Sequence, residues 1–174
     1  MADDFKIIAI TLPEDVENES EKIMKLLDSG VDYVHIRKPG KELQQVEKLV
    51  REIPEEYHSR LKLHDHFSLL DRFGLGGVHL NSRNRIVPEN ARSVSCSCHA
   101  VEEIVYNNDK DYVFLSPIFD SISKKDYKSK FNIDELTPYL SLGRVVALGG
   151  VTTGKLSLLK EKGFYGAAMM GSIW

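Results

Sequence analysis

Ser121, Ser123 and Lys124, three groups able to hold a phosphate, stand within four residues of one another shortly after the apolar run Tyr112–Leu115. Other short apolar runs end the same way. Arg37 and Lys38 follow one, His64, Asp65 and His66 another, then Asn81 to Asn84, Ser97 to His99, the pair Gly149 and Gly150, and Gly171 with Ser172. Cations, hydroxyls and backbone amides bare of side chains are the groups that receive an anion. A carboxylate directly after a buried strand, as Asp65 is, is a candidate ligand for a divalent ion. The reading is an anionic, phosphorylated small molecule. His79, enclosed in Val-His-Leu, is expected to be a core histidine. Cys96 and Cys98 lie two apart on one strand face and are expected to be reduced, small buried hydrophobes; a Cys-x-Cys-His zinc reading lacks a second pair of ligands.

The elements that must position these groups read as alternating strands and helices. Strands are expected at residues 5–11, 33–37, 61–64, 77–80, 93–97, 112–115, 144–148 and 166–170, most of them too short and too rich in β-formers for helices. Helices are expected around residues 20–28, through Leu43, Val46, Leu49, Val50 and Ile53, at 67–73, at 100–106, through Ile133, Leu136, Tyr139 and Leu140, and through Leu156 and Leu159. Residues 81–91 leave room for barely one turn, and the chain stops before an eighth helix. Runs buried on both faces belong in a parallel sheet, and right-handed βα units repeated eight times close on themselves. The expected fold is therefore a single-domain α/β (β/α)8 TIM barrel over residues 1–174, compact, with a short fourth helix and no eighth. An open doubly wound sheet is the alternative, and no G-x-G-x-x-G follows the first strand to support it.

Composition narrows the partners. The chain has 174 residues, 42% hydrophobic and 28% charged, with net charge −3 and pI near 6.1. That balance lacks the concentrated basic patch that nucleic acid or an anionic membrane requires. No apolar run reaches the length of a membrane span, and the acidic start is not that of a signal peptide. The expectation is a cytoplasmic protein with small-molecule partners; a missing eighth helix leaves apolar barrel surface for either further residues of the native chain or a partner, such as a second copy, to cover.

Taken in order, the strand-end motifs resemble those of the thiamine phosphate synthase and TenI family of (β/α)8 barrels. His35-Ile36-Arg37 is similar to that family's Gln-Leu-Arg, His64-Asp65-His66 to its Asn-Asp-Arg, and Gly77-Val78-His79-Leu80 is the same as its Gly-Val-His-Leu. Ser97-Cys98-His99 resembles its Ser-x-His, and Ser116-Pro117-Ile118-Phe119 with Ser121, Ser123 and Lys124 its Gly-Pro-Val-Phe followed by Thr-x-Thr-Lys. Ala147 to Val151 and the closing Gly-x-x-Gly-x-Ala complete the series. The resemblance implies that hydroxymethylpyrimidine pyrophosphate loses pyrophosphate to the nitrogen of a thiazole phosphate, giving thiamine phosphate with Mg2+ as cofactor. On that reading Arg37 and Lys124 hold the pyrophosphate and are the catalytic cations, and Asp65 binds the metal with Asn84 at the position of the family's second carboxylate. Ser97 sits near the pyrophosphate or metal. Ser121, Ser123, Gly150, Gly171 and Ser172 hold the thiazole phosphate, and His35 and His64, at the family's Gln and Asn positions, face substrate. Pro39 falls at a family lysine, leaving Lys38 or Lys41 to supply that cation. The alternatives are a TenI-like thiazole tautomerase, whose histidine position is Ser116 here, a barrel that binds a thiamine-related phosphate without turnover, and a metallohydrolase built on His64, Asp65 and His66.

Overall fold

The computed structural model describes residues 5–120 and 128–174. Eight strands, β1 (Lys6–Ile10), β2 (Tyr33–Ile36), β3 (Leu61–Leu63), β4 (Gly77–Leu80), β5 (Val94–Cys98), β6 (Tyr112–Leu115), β7 (Val145–Ala147) and β8 (Gly166–Met169), run parallel in sequence order. β1 pairs with β8 from Lys6↔Gly166 to Ala9↔Met169, which closes the sheet and rules out the open alternative. Observed ends match the expected ones or differ by a residue, the usual spread at element termini.

Among the described residues, six α-helices lie outside the strands: α1 (Glu19–Asp28), α2 (Leu43–Arg51), α3 (Glu55–His58), α4 (Glu102–Tyr106), α5 (Thr137–Leu140) and α6 (Leu156–Glu161). Pro54, expected to end the second helix, also caps a further turn, α3. The segment expected at 67–73 is a 3-10 helix, Phe67–Asp71. The expected single turn after β4 is not formed. Residues 81–93 carry no helix; the Asn81 carboxamide accepts from the Arg83 and Asn84 backbone N–H groups and folds the chain into a turn instead. No described helix is long and apolar enough to cross a membrane.

Strand alternation sorts the side chains into two cores. Val34, Ile36, Leu61, Leu63, Val78, Val113 and Leu115 face outward onto the helices, where Ile23, Leu27, Val46 and Val50 meet them. The inward set, Ile8, Ile10, Tyr112, Phe114, Val146 and Ala168, fills only part of the barrel. The rest of the interior is polar: His35, Lys62, His64, His79 and Ser95 are all buried. Such positions are usually taken by branched aliphatic residues. Lys62 occupies the floor, donating to the Gly76 carbonyl at 3.1 Å with its ammonium over the Tyr33 ring, and burial brings its pKa down to about 8.

β4 enters the sheet through Gly77, whose φ of +147° is accompanied by backbone so close that a Cβ would lie 2.1 Å from the Ser93 carbonyl oxygen. Neither strain nor overlap can be relieved by a rotamer change. Gly77→Ala should lower the unfolding free energy by about 3 kcal/mol, read from urea melts; an unchanged midpoint would contradict this account of how β4 is seated.

Candidate functional site

At the carboxyl ends of the strands a cavity of about 650 Å³ opens, lined on its polar side by Arg37, His64, Asn81, Arg83, Arg85 and Ser97 and on its apolar side by Ile10, Phe114, Leu148 and Met170. That volume suits a small-molecule ligand. Arg37 is placed there by a clamp between strand ends: its backbone N–H donates to Thr11 Oγ1 at 2.8 Å, and the Thr11 hydroxyl donates back to the Arg37 carbonyl at 3.1 Å. Burial, then the nearby Arg83 charge, lowers the guanidinium's pKa, and Asp65 offsets part of that. An arginine so shifted remains a cation at neutral pH.

Asp65 and Asn84 converge. The Asn84 side-chain amide donates to Asp65 Oδ1 at 2.7 Å and to the His64 carbonyl at 3.0 Å. Arg83 lies over the same carboxylate at 3.3 Å, an ion pair with Arg83 45% exposed. Those Arg83 contacts are long and open to water, so they are weak. The two histidines flanking Asp65 diverge: His64 points inward, while His66 bonds the Lys41 carbonyl at 2.7 Å. The His64, Asp65 and His66 cluster of a metallohydrolase is therefore not formed.

Beneath the mouth lie three imidazoles. His64 Nε2 is 2.9 Å from His35 Nδ1, and His35 Nε2 is 2.8 Å from the Tyr112 hydroxyl. His79 stacks on His64 with ring centroids 4.3 Å apart and holds Ser95 through Nδ1 and Ser97 through Nε2. His79 is thus a core histidine, as its place in Val-His-Leu suggested, yet it also fixes Ser97 at the mouth. His35 sits one layer deeper than the cavity wall and reaches the mouth through His64. Burial drives all three pKa values down, that of His79 to about 3, with neighbouring positive charge adding to the effect. They are neutral at pH 7.

The other expected residues separate clearly. Ser172 donates to the Val151 carbonyl at 2.8 Å, tying the turn after β8 to the loop after β7. Gly150 has φ +61° and stands so near the β6 loop that a Cβ would fall 2.2 Å from the Asp120 carbonyl oxygen, while Gly171 faces open space. Lys38 is not a free cation: its ammonium is buried against Glu19 at 2.7 Å and donates to the Leu12 and Glu14 carbonyls. Lys41 pairs with Asp15. Neither substitutes for the cation lost at Pro39 in this arrangement. Ser121, Ser123 and Lys124 lie outside the described residues. Arg83 and Arg85 also line the cavity and were not among the expected residues; their one sequence signal is their position in or beside Asn81 to Asn84. Cys96 and Cys98 are buried and free, as expected.

Fold and mouth together define a closed parallel barrel with a cationic, strand-end cavity. The family model described as thiamine monophosphate synthase (TMP-TENI) matches residues 7–173, and the chain belongs to that family. A crystal structure of thiamine phosphate pyrophosphorylase from Bacteroides thetaiotaomicron superposes with a TM-score of 0.86 at 38% identity, covering 98% of this chain and 85% of its own. A thiamine phosphate pyrophosphorylase from Pyrococcus furiosus shares the fold, with a TM-score of 0.76 at 18% identity over 96% of this chain and 86% of its own. Among curated proteins, the putative thiamine-phosphate synthase 2 of Aquifex aeolicus is 28% identical over 166 residues, 87% of this chain and 88% of that protein.

The neutral histidines make stability depend on pH. An unfolded chain protonates its histidines below about pH 6.5 and the folded barrel does not, so the unfolded state binds more protons and stability falls as the pH drops. His79, with its pKa near 3 in the fold, should alone cost about 2 kcal/mol between pH 7 and 5, and His35 and His64 add in the same direction. His79→Gln should show a shallower loss in denaturant titrations across that range. An equal slope in both proteins would mean that His79 is protonated inside the barrel.

Proposed function

We propose that this chain is a cytoplasmic transferase that joins hydroxymethylpyrimidine pyrophosphate to thiazole phosphate, releasing pyrophosphate and forming thiamine phosphate. The observation that carries this reading is the meeting of Arg37, Ser97 and Arg83 around one cavity, in a chain that matches the family along nearly its whole length. Breaking the bond to pyrophosphate leaves negative charge on the departing group and positive charge on the pyrimidine methylene, so the demand on the protein is positioned charge rather than a nucleophile. Arg37 answers the first part: a guanidinium can engage two phosphate oxygens at once, and the Thr11 clamp holds it at the cavity without a rearrangement. Arg83 adds a second cation.

The neutral histidines answer the other part. A protonated imidazole beneath the mouth would oppose a developing carbocation; these, kept uncharged by burial, do not. Ser97, held by His79, offers a hydroxyl at the same wall. The residues present fit Mg2+ if pyrophosphate and water complete its shell, because such ions are commonly bound by one or two carboxylates plus substrate phosphates. Asp65 would hold it, with Asn84 beside it, and the ion would neutralise charge on the leaving group. Arg83 must then leave Asp65 for the phosphate, which its long, exposed contact permits.

At the other end, the close approach of Gly150 to the β6 loop and the bond of Ser172 to Val151 support a phosphate seat between the turns after β7 and β8; Ser121, Ser123 and Lys124, outside the described residues, are proposed for the same phosphate on the family resemblance alone. A tautomerase reading has no comparable support, since Ser116, buried and hydroxyl-bearing, is not a base at neutral pH.

Purified protein with both substrates and Mg2+ should form thiamine phosphate; absence of product above background rejects the proposal. Arg37→Ala should lower kcat/KM by about 100-fold or more without unfolding the barrel. Asp65→Asn should raise the Mg2+ concentration needed for half-maximal rate, whereas an unchanged magnesium dependence would remove Asp65 from the metal site.

A further inference from the structure

Three histidines clustered in a barrel interior are an unusual way to fill it. Isoleucine, valine and leucine would fill the same space without needing hydrogen-bond partners. One nitrogen from each of His35, His64 and His79 lies within 4.8 Å of one nitrogen from each of the other two, and all three rings are buried. We propose that these residues form a binding site for a single divalent transition-metal ion of the zinc, cobalt or nickel class, beneath the mouth and separate from the Asp65 carboxylate.

The donor chemistry sets the class of ion. Imidazole nitrogen suits zinc, copper and nickel, whereas magnesium takes oxygen ligands. Tetrahedral zinc with bonds of about 2.1 Å holds its nitrogens about 3.4 Å apart; the shortest pair here, His35 Nδ1 and His64 Nε2 at 2.9 Å, is already inside that spacing. His79 must tilt out of its stack on His64 to bring its lone pair into line, giving up one of its two serine bonds.

The hydrogen bonds around the rings are the kind that orient metal-binding imidazoles. When His35 coordinates through Nδ1, its Nε2 proton is donated to the Tyr112 hydroxyl. His79 bears a serine on either nitrogen, so whichever one takes the ion, the other keeps an orienting partner. His64 coordinates through Nε2 and carries its proton on Nδ1. Each ligand then binds as a neutral ring by a change of tautomer, with no net proton released. Entry is through the mouth, since His64 lines the cavity. Arg37 opposes a cation here, and an ion on these rings would set positive charge beneath the developing carbocation, so the metal-bound barrel is an inhibited form of the proposed transferase.

The test is titration of chelator-treated protein with Co2+, followed by visible absorption, alongside Zn2+ titration of protein with 15N-labelled histidine. The expected result is one Co2+ per chain with the intense bands of a tetrahedral site, and Zn2+-dependent shifts of the ring nitrogens of His35, His64 and His79. Tyr112→Phe, which removes the orienting hydroxyl while keeping the ring, should weaken binding about 10-fold or more, and Asp65→Asn should leave it unchanged. Shifts confined to His66 or His99, only the weak bands of octahedral Co2+, or affinity lost in Asp65→Asn but kept in Tyr112→Phe would each overturn the proposal. The nitrogen shifts are read on the unaltered chain, so the result does not depend on a histidine variant folding.

Discussion

Closure of eight parallel strands is the constraint on which everything else rests. It turns every second side chain of each strand toward one axis, and in this chain the axis at mid-height is given to imidazoles. The hydrogen bonds from His64 to His35 and from His35 to Tyr112 link β3, β2 and β6, and His79 links β4 to β5 through two serines. Five of the eight strands are thereby joined inside the barrel by polar contacts. A buried network of this kind is stable only when its members find partners, and a gap in it costs more than an apolar residue would have.

The mouth is built on that layer. Ser97 takes its place from His79, Asn81 and Asn84 both donate to the His64 carbonyl, and Arg37 follows directly from the end of β2. Among the described residues, the positive charge in the mouth comes from three arginines rather than from the lysine beside Arg37, because Lys38 is turned away into a buried pair with Glu19. That pair ties the loop after β1 to α1 and the loop after β2, so Lys38 serves the frame of the mouth and not its contents. Its three donors are all engaged, and drawing it out would leave Glu19 buried without its partner.

The strands were legible because parallel-sheet runs such as Tyr112–Leu115 are apolar throughout and end in polar or glycine-rich turns. The polar tips were legible for the same reason, and closure brought Arg37, His64, Asn81 and Ser97 to one cavity as their positions implied. The segment after β4 was harder to read. It contains helix-compatible residues, but the bonds from the Asn81 carboxamide fold its start into a turn, and Pro88 disfavours a helix further on. Lys38 could not be assigned, since its partner Glu19 is nineteen positions earlier and nothing local marks the pair. The histidines were each legible as buried or as facing the site, but not as a cluster: that depends on register across three ladders, where His35 is level with Lys62, and His79 with Ser95.

The central claim is that the mouth receives a pyrophosphate group on Arg37, above a cluster of neutral imidazoles. Crystals of the protein soaked in inorganic pyrophosphate with Mg2+ test it most directly. The account predicts density for the anion inside the cavity, with oxygens at hydrogen-bond distance from the Arg37 guanidinium and the ion against Asp65. Pyrophosphate bound elsewhere on the surface, with Arg37 untouched, would contradict it.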